Sequence, residues 1–185
     1  MENTYTSPLI SKRDPDAPAL WVGCLAAYNA GTLHGEWMQV SPDRAEMLEA
    51  ISEILKASPE PHAEEWDIMD TDGVPAEVRG LDAAAAYAAA LDDLKHHPDP
   101  AGLLAAWMEW RGADDLNASH IEDAYLGQFG SVQEYAEQYA DDCGLLDGLP
   151  EHLRPYFNFT AFARDLELSG NVYEGAGGHL FNGHA

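Results

Sequence analysis

The sequence predicts an α+β fold, in one domain or a few small ones packed in series, from three stretches of its pattern. Apolar and alternating residues gather near positions 20–40 and 65–70, an Ala-rich stretch of helical period fills the middle, and a capped helix is followed by a strand-like end. The expected divisions are a loose tail at 1–18, an N-terminal α+β domain at 19–77 and a central helical domain at 78–117. A C-terminal α+β domain at 118–174 and a second loose tail at 175–185 complete them.

The tail MENTYTSPLISKRDPDAP mixes Pro, Ser and charge without periodicity. From Leu20 the run LWVGCLAAY, a turn at Asn29 to Gly31 and the stretch TLHGEWMQV read as a β-hairpin. A third strand is expected at Glu65 to Asp70. Between them Ser41 and Pro42 start a helix whose face is Met47, Ile51, Ile54 and Leu55, leaving Glu46, Glu49 and Glu53 on the other side. In LDAAAAYAAALDDLKHH, Tyr87, Leu91 and Leu94 share a face, and Pro98 and Pro100 end the helix. A further helix from about Ala101 carries Leu103, Leu104, Trp107 and Met108 and closes at Gly112, pairing with its predecessor in a small bundle. Ser131 and Glu134 make a capping box, followed by a stripe of Val132, Tyr135, Ala136 and Tyr139. Thr160 to Leu168 reads as a helix stopped near Gly170, Asn171 to Glu174 as a strand, and GAGGHLFNGHA as a frayed end.

Charge is the strongest functional signal. The 185 residues carry 33 Asp and Glu against nine Lys and Arg, a formal charge of −24, yet 46% are apolar and 10% aromatic. That much apolar matter builds a core, which excludes a disordered acidic chain. Duplex DNA carries one negative charge per ~1.7 Å, so such a charge corresponds to roughly 40 Å of duplex. The carboxylates expected to form the acidic surface are Asp43, Glu46, Glu49, Glu53, Glu60, Glu64, Glu65, Asp67, Asp70, Asp72, Asp92, Asp93, Asp114, Asp115, Glu122, Asp123, Glu134, Glu137, Asp141 and Asp142. Any one of them is ordinarily a solvated side chain. Together they lack the interspersed opposite charge of a surface serving only solubility.

Other chemistries find little support. Placing Gly73 of Asp70-Thr71-Asp72-Gly73 as an EF-hand glycine makes Ile68 the first ligand and Arg79 the twelfth, so calcium binding by that motif is rejected. His34 and Glu36 would share a strand face, but no third ligand accompanies them, and packing is the better reading. His96, His97, His179 and His184 read as surface residues. Gly175, Gly177 and Gly178 lack the Lys-Ser/Thr end of a phosphate loop. Trp107, Trp110, Tyr135 and Tyr139 read as core or interface aromatics, since basic residues are nearly absent around them, and direct nucleic-acid binding is not expected. No catalytic residue, cofactor or metal site is assigned. Two separated cysteines, Cys24 and Cys143, fit a reducing compartment, and with no long apolar run or signal-peptide start the chain reads as cytoplasmic.

The segments LWVGCLAAYN from Leu20, LHGEW from Leu33, EEWDIMD from Glu64 and YFNFTAFARDLELSG from Tyr156 occur in the same order as in the ArdA-type antirestriction proteins. The chain resembles that family from about residue 19 to 174, with the last segment the most specific. The resemblance implies a DNA mimic carried on mobile genetic elements. Such a protein occupies the DNA-binding channel of the methyltransferase core of type I restriction-modification enzymes, blocking restriction and often modification. It implies an elongated chain of three small domains, forming a homodimer joined through the C-terminal domain. The family's antirestriction motif maps onto LLDGLPEHLRPYFN, residues 145–158; this chain departs from it with Asn158 in place of Asp and with His152 and Arg154 inside it. Those changes lower the local negative charge, so Leu145, Leu146, Leu149, Pro150, Leu153, Tyr156 and Phe157 are assigned to the dimer contact.

Two readings of other classes compete. An acidic scaffold could sequester a different basic protein, such as a nucleoid protein or a repressor. An enzyme of a salt-adapted organism would be acidic for solubility alone, and would need a catalytic constellation that the sequence does not offer.

Overall fold

The computed structural model describes residues 5–185, and these pack as two compact units, one ending at Leu94 and one beginning at Lys95. The fold is mixed α+β with two three-stranded sheets. The two helices expected to form a central domain fall one in each unit.

In the first unit a short helix α1 (Pro8–Ser11) precedes strand β1 (Ala19–Cys24), helix α2 (Leu25–Asn29), strand β2 (Gly35–Gln39), helix α3 (Arg44–Lys56), strand β3 (Trp66–Asp72) and helix α4 (Gly80–Asp93). All pairings are antiparallel, in the order β2-β1-β3. The β1-β2 pair is as expected, but its connection is a helical turn, α2, because LAAYN has helical propensity and its backbone leaves the sheet after Leu25, whose N–H still donates to the Glu65 carbonyl at 3.0 Å. Alternate residues Leu20, Val22 and Cys24 are buried on the β1 face turned to α3, whose Met47, Ala50, Ile51 and Ile54 are buried in return. Leu55, expected on that face, is half-buried. Asp43 caps α3, accepting the N–H groups of Ala45 and Glu46.

The expected N-terminal tail is ordered from Tyr5; residues 1–4 lie outside the described residues. Leu9 is buried, and α1 packs on β2 and α3. Its fixing partner is Glu53, which the local sequence cannot reveal.

The second unit runs through helix α5 (Pro100–Arg111), helix α6 (Ala118–Ala124), strand β4 (Tyr125–Gln128), helix α7 (Val132–Asp142), a 3-10 segment (Glu151–Tyr156), helix α8 (Phe159–Leu168), strand β5 (Val172–Glu174) and strand β6 (His179–Asn182). Its sheet is ordered β4-β6-β5, so the C-terminal strand is central. Here the expected frayed tail is corrected: Leu180 and Phe181 are fully buried on opposite faces. Phe181 meets Trp107 of α5 at 5.5 Å and lies beside Trp110 and Tyr125, while Trp110 stacks on Tyr173 at 4.9 Å. Leu180 joins Val132, Ala136, Ala163 and Val172 in the core under α7 and α8. One helix therefore covers one face of the sheet and two cover the other.

The glycines that make this segment look loose permit close backbone approach. A Cβ on Gly178, at φ 76°, would run into the carbonyl of Phe129, whose N–H donates to Gly178 O at 2.9 Å; one on Gly183 would strike the carbonyl of Gly170. His179 is likewise buried, not a surface residue. Its Nδ1 lies 3.1 Å from the Tyr125 hydroxyl, and burial pushes its pKa down, partly opposed by Asp99.

Candidate functional site

The outer face of the first sheet is built by one irregularity. In β3, Asp67 pairs with Gly23 and Asp70 with Trp21, and the register shifts between Trp21 and Val22 so that Met69 is an extra residue. Strict alternation from Asp67 would place Met69 and Thr71 on its face and turn Asp70 and Asp72 away. The bulge returns Asp70 and Asp72 to the side of Asp67, opposite the buried face of Leu20 and Val22. Met69 covers Gly23, where any Cβ would collide with its thioether. Asp67 accepts the N–H of Ile68 and Asp70 that of Thr71, both at 2.8 Å, so each carboxylate is held by its own backbone. Asp72 forms an ion pair with Arg13 at 2.7 Å, and Arg13 lies over the Trp37 ring.

Helix α3 distributes its carboxylates differently from the row expected. Glu49 is exposed. Glu46 accepts the Ser41 hydroxyl at 2.8 Å. Glu53 accepts the N–H groups of Ser7 and Thr6 and the Thr6 hydroxyl. Hydrogen bonds from Ser7 and Thr6, with Lys56 assisting, hold the Glu53 carboxyl below the usual range despite a small opposing effect of burial. Those two charges serve the fold before any partner.

Of the twenty carboxylates expected at the surface, only Glu46, Glu53, Glu60 and Asp115 are less than exposed. Asp115 contacts His120 at 3.2 Å and lends its carbonyl to the Trp107 N–H. On α7, Glu134, Glu137, Asp141 and Asp142 all face solvent. Ser131 accepts the Glu134 N–H, and Glu134 returns a bond to the N–H of Gly130, one residue before the cap. Tyr139, expected in the buried stripe of α7, is exposed, and Ala140 takes the inward place. Glu77, Glu151, Asp165 and Glu167 are further exposed carboxylates the sequence reading missed; the polar face of the 160–168 helix was the signal for the last two.

The segment after α7 buries little of its apolar surface. Leu145, Leu153 and Tyr156 are exposed, Tyr156 by 83%, and no residue of the 3-10 segment is buried. Leu146, Leu149 and Phe157 are half-buried, with Phe157 packed on Phe159 and Phe162 at 4.8 and 5.7 Å.

Acid-base chemistry at His34 and Glu36 has no geometric support. His34 Nε2 is committed to the carbonyl of Ile54 at 2.8 Å. What the described surface offers is fixed negative charge in quantity, with few cations near it. Among the described residues, no helix is long and apolar enough to cross a membrane.

A family model described as antirestriction protein (ArdA) matches residues 20–181. No curated protein matches the chain.

Proposed function

The chain belongs to the ArdA family of antirestriction proteins, and we propose that it works as a DNA mimic. Its exposed carboxylates take the place of phosphates in the DNA-binding channel of the methyltransferase core of type I restriction-modification enzymes. The result is blocked restriction, and blocked modification where the same channel serves both.

The single observation that carries this reading is the exposure of most of the acidic side chains on ordered elements. Lys and Arg of a DNA-gripping cleft can meet carboxylates fixed on β3, α3 and α7 without the cost of ordering a flexible tail. Neutralising many phosphate-like charges at once also gives steering and strong salt dependence. No reaction is catalysed; inhibition is by occupancy, in the cytoplasm where the restriction enzymes act.

Dimerisation belongs to the same reading. Two chains of charge −24 repel, so they must meet through a patch poor in acid. The exposed Leu145, Leu153 and Tyr156, with Leu146, Leu149, Pro150 and Phe157, supply an apolar centre, and a two-fold axis there would set two acidic surfaces side by side.

Efficiency of plating tests the proposal. Unmodified phage is plated on cells bearing a type I system, with and without this protein. Plating rises by orders of magnitude if the reading is right; no rescue across several type I systems sinks it.

A further inference from the structure

We propose that His96, His97 and Glu122 form a binding site for one divalent transition-metal ion of the Zn²⁺ class. One nitrogen from each imidazole and one Glu122 oxygen lie within 4.8 Å of one another. Glu122 Oε1 is 3.1 Å from Nε2 of His96 and 3.9 Å from Nε2 of His97. Ligand bonds of ~2.0–2.2 Å in a tetrahedron place ligand atoms about 3.4 Å apart, so both spacings fit an ion at the centre after small side-chain rotations.

The second observation is His97 itself. Its Nε2 is buried and has no hydrogen-bond partner, and 3.9 Å to Glu122 is too long to supply one. A buried nitrogen left unsatisfied costs free energy that a metal bond would recover. The imidazole is also held in place, edge-on to Tyr125 at 5.3 Å.

Both arms of the site are fixed by the fold. The histidines occupy the turn at 95–98, stopped by Pro98 and followed by Asp99, which caps α5 by accepting the Gly102 N–H at 2.9 Å. Glu122 stands on α6, capped by Asn117 and anchored by the buried Ile121 and Ala124. An ion would cross-link turn and helix within the second unit.

Two imidazoles with one carboxylate favour Zn²⁺, Ni²⁺ or Co²⁺ over the oxygen-seeking Mg²⁺ and Ca²⁺. Water would fill the remaining positions. The ion displaces any proton shared by His96 and Glu122, since both histidines must ligate as neutral rings. The surrounding negative charge raises the local cation concentration.

The test is a Zn²⁺ titration of the full chain against a chromophoric chelator, with excess Mg²⁺ present to occupy generic carboxylate sites. One ion per chain is expected. Affinity should fall about tenfold or more in His96→Ala and in Glu122→Gln, and should not change in His152→Ala, which alters an exposed histidine elsewhere. Both altered side chains are exposed, and far-UV circular dichroism checks that the fold is kept. Co²⁺ provides the second readout: a four- or five-coordinate absorption band in the wild type, lost when His96→Ala and Glu122→Gln are combined. Equal Zn²⁺ affinity across all variants, or no such Co²⁺ band in the wild type, overturns the proposal.

Discussion

Glu53 accepts the backbone N–H of Ser7 at 3.0 Å, across 46 positions of sequence, and so ties the N-terminal segment to α3. The same carboxylate takes the Thr6 N–H at 2.9 Å and the Thr6 hydroxyl. A side chain that periodicity assigns to the solvent face is a clasp.

The clasp is pH-dependent, with a definite sign. The folded-state pKa of Glu53 is depressed by the donors of Ser7 and Thr6, so its contribution is complete above the ordinary carboxylate pKa of about 4.3. That contribution is lost as pH falls through the lower folded value. Glu53→Gln should remove this part of the acid dependence and raise amide exchange in residues 6–11 at neutral pH, leaving the sheet protected. Unchanged exchange in that segment would show that burial of Leu9 alone holds it.

Internal commitments also rank the carboxylates by what they can offer a partner. Glu49, Asp67 and Asp70 are exposed, the last two accepting the N–H of the next residue, whereas Glu46 and Glu53 are bonded to groups further away in the chain and Asp72 is paired with Arg13. Single amide substitutions of the first three should each weaken binding to a methyltransferase core by roughly 0.2–1 kcal/mol, and their combination progressively more. Glu46→Gln should have less effect on binding. One isosteric substitution that abolishes inhibition in a folded protein would instead point to a discrete chemical site.

Ionic strength tests the charge mechanism as a whole. Raising salt from 0.1 to 1 M contracts the Debye length from ~10 to ~3 Å. Affinity for the enzyme, measured by titration calorimetry, should fall steeply over that range. A flat profile would mean a mainly apolar interface.

Phe181 is the centre of the second unit, and its loss should be severe. It is fully buried against Trp107, Trp110 and Tyr125, so Phe181→Ala leaves a cavity costing about 3–5 kcal/mol. Chemical denaturation followed by tryptophan fluorescence should report this as a lower midpoint. A variant lacking residues 175–185 should fail to fold the second unit, because the middle strand of its sheet is gone.

These two regions also mark where local sequence stops being informative. The β1-β2-β3 stretches, the Met47, Ile51 and Ile54 face and the Ser131 cap were legible because periodicity and capping act over a few residues. Strands β4 and β6 were not: each has four residues, and they pair across a separation of some 54 positions. Glycines at 178 and 183 read locally as looseness, and only the carbonyls of Phe129 and Gly170 reveal their close packing. That most of the acidic side chains are exposed was legible from their charge and from helix periodicity. The bulge at Met69, and the partners of Glu53 and Asp72 drawn from residues 6–13, were not.

Assembly should depend on the apolar segment around Tyr156. Tyr156 is 83% exposed and Leu145 and Leu153 are also exposed, so this segment does not fill its own unit's core. Side chains of that kind leave water only on association, and removing the Tyr156 ring should cost the folded monomer no more than about 0.5 kcal/mol. An aromatic at the centre of an interface is commonly worth 2 kcal/mol or more, about thirtyfold in dissociation constant. Tyr156→Ala should therefore shift the sedimentation profile from dimer toward monomer at unchanged circular dichroism, and Leu153→Ala should do so more weakly. Phe157→Ala is a less clean probe, because Phe157 packs on Phe159 and Phe162 within the chain. A wild type that sediments as a monomer at micromolar concentration would refute the dimer. Charge mimicry would then rest on one chain, whose exposed carboxylates on β3, α3 and α7 do not depend on a partner copy.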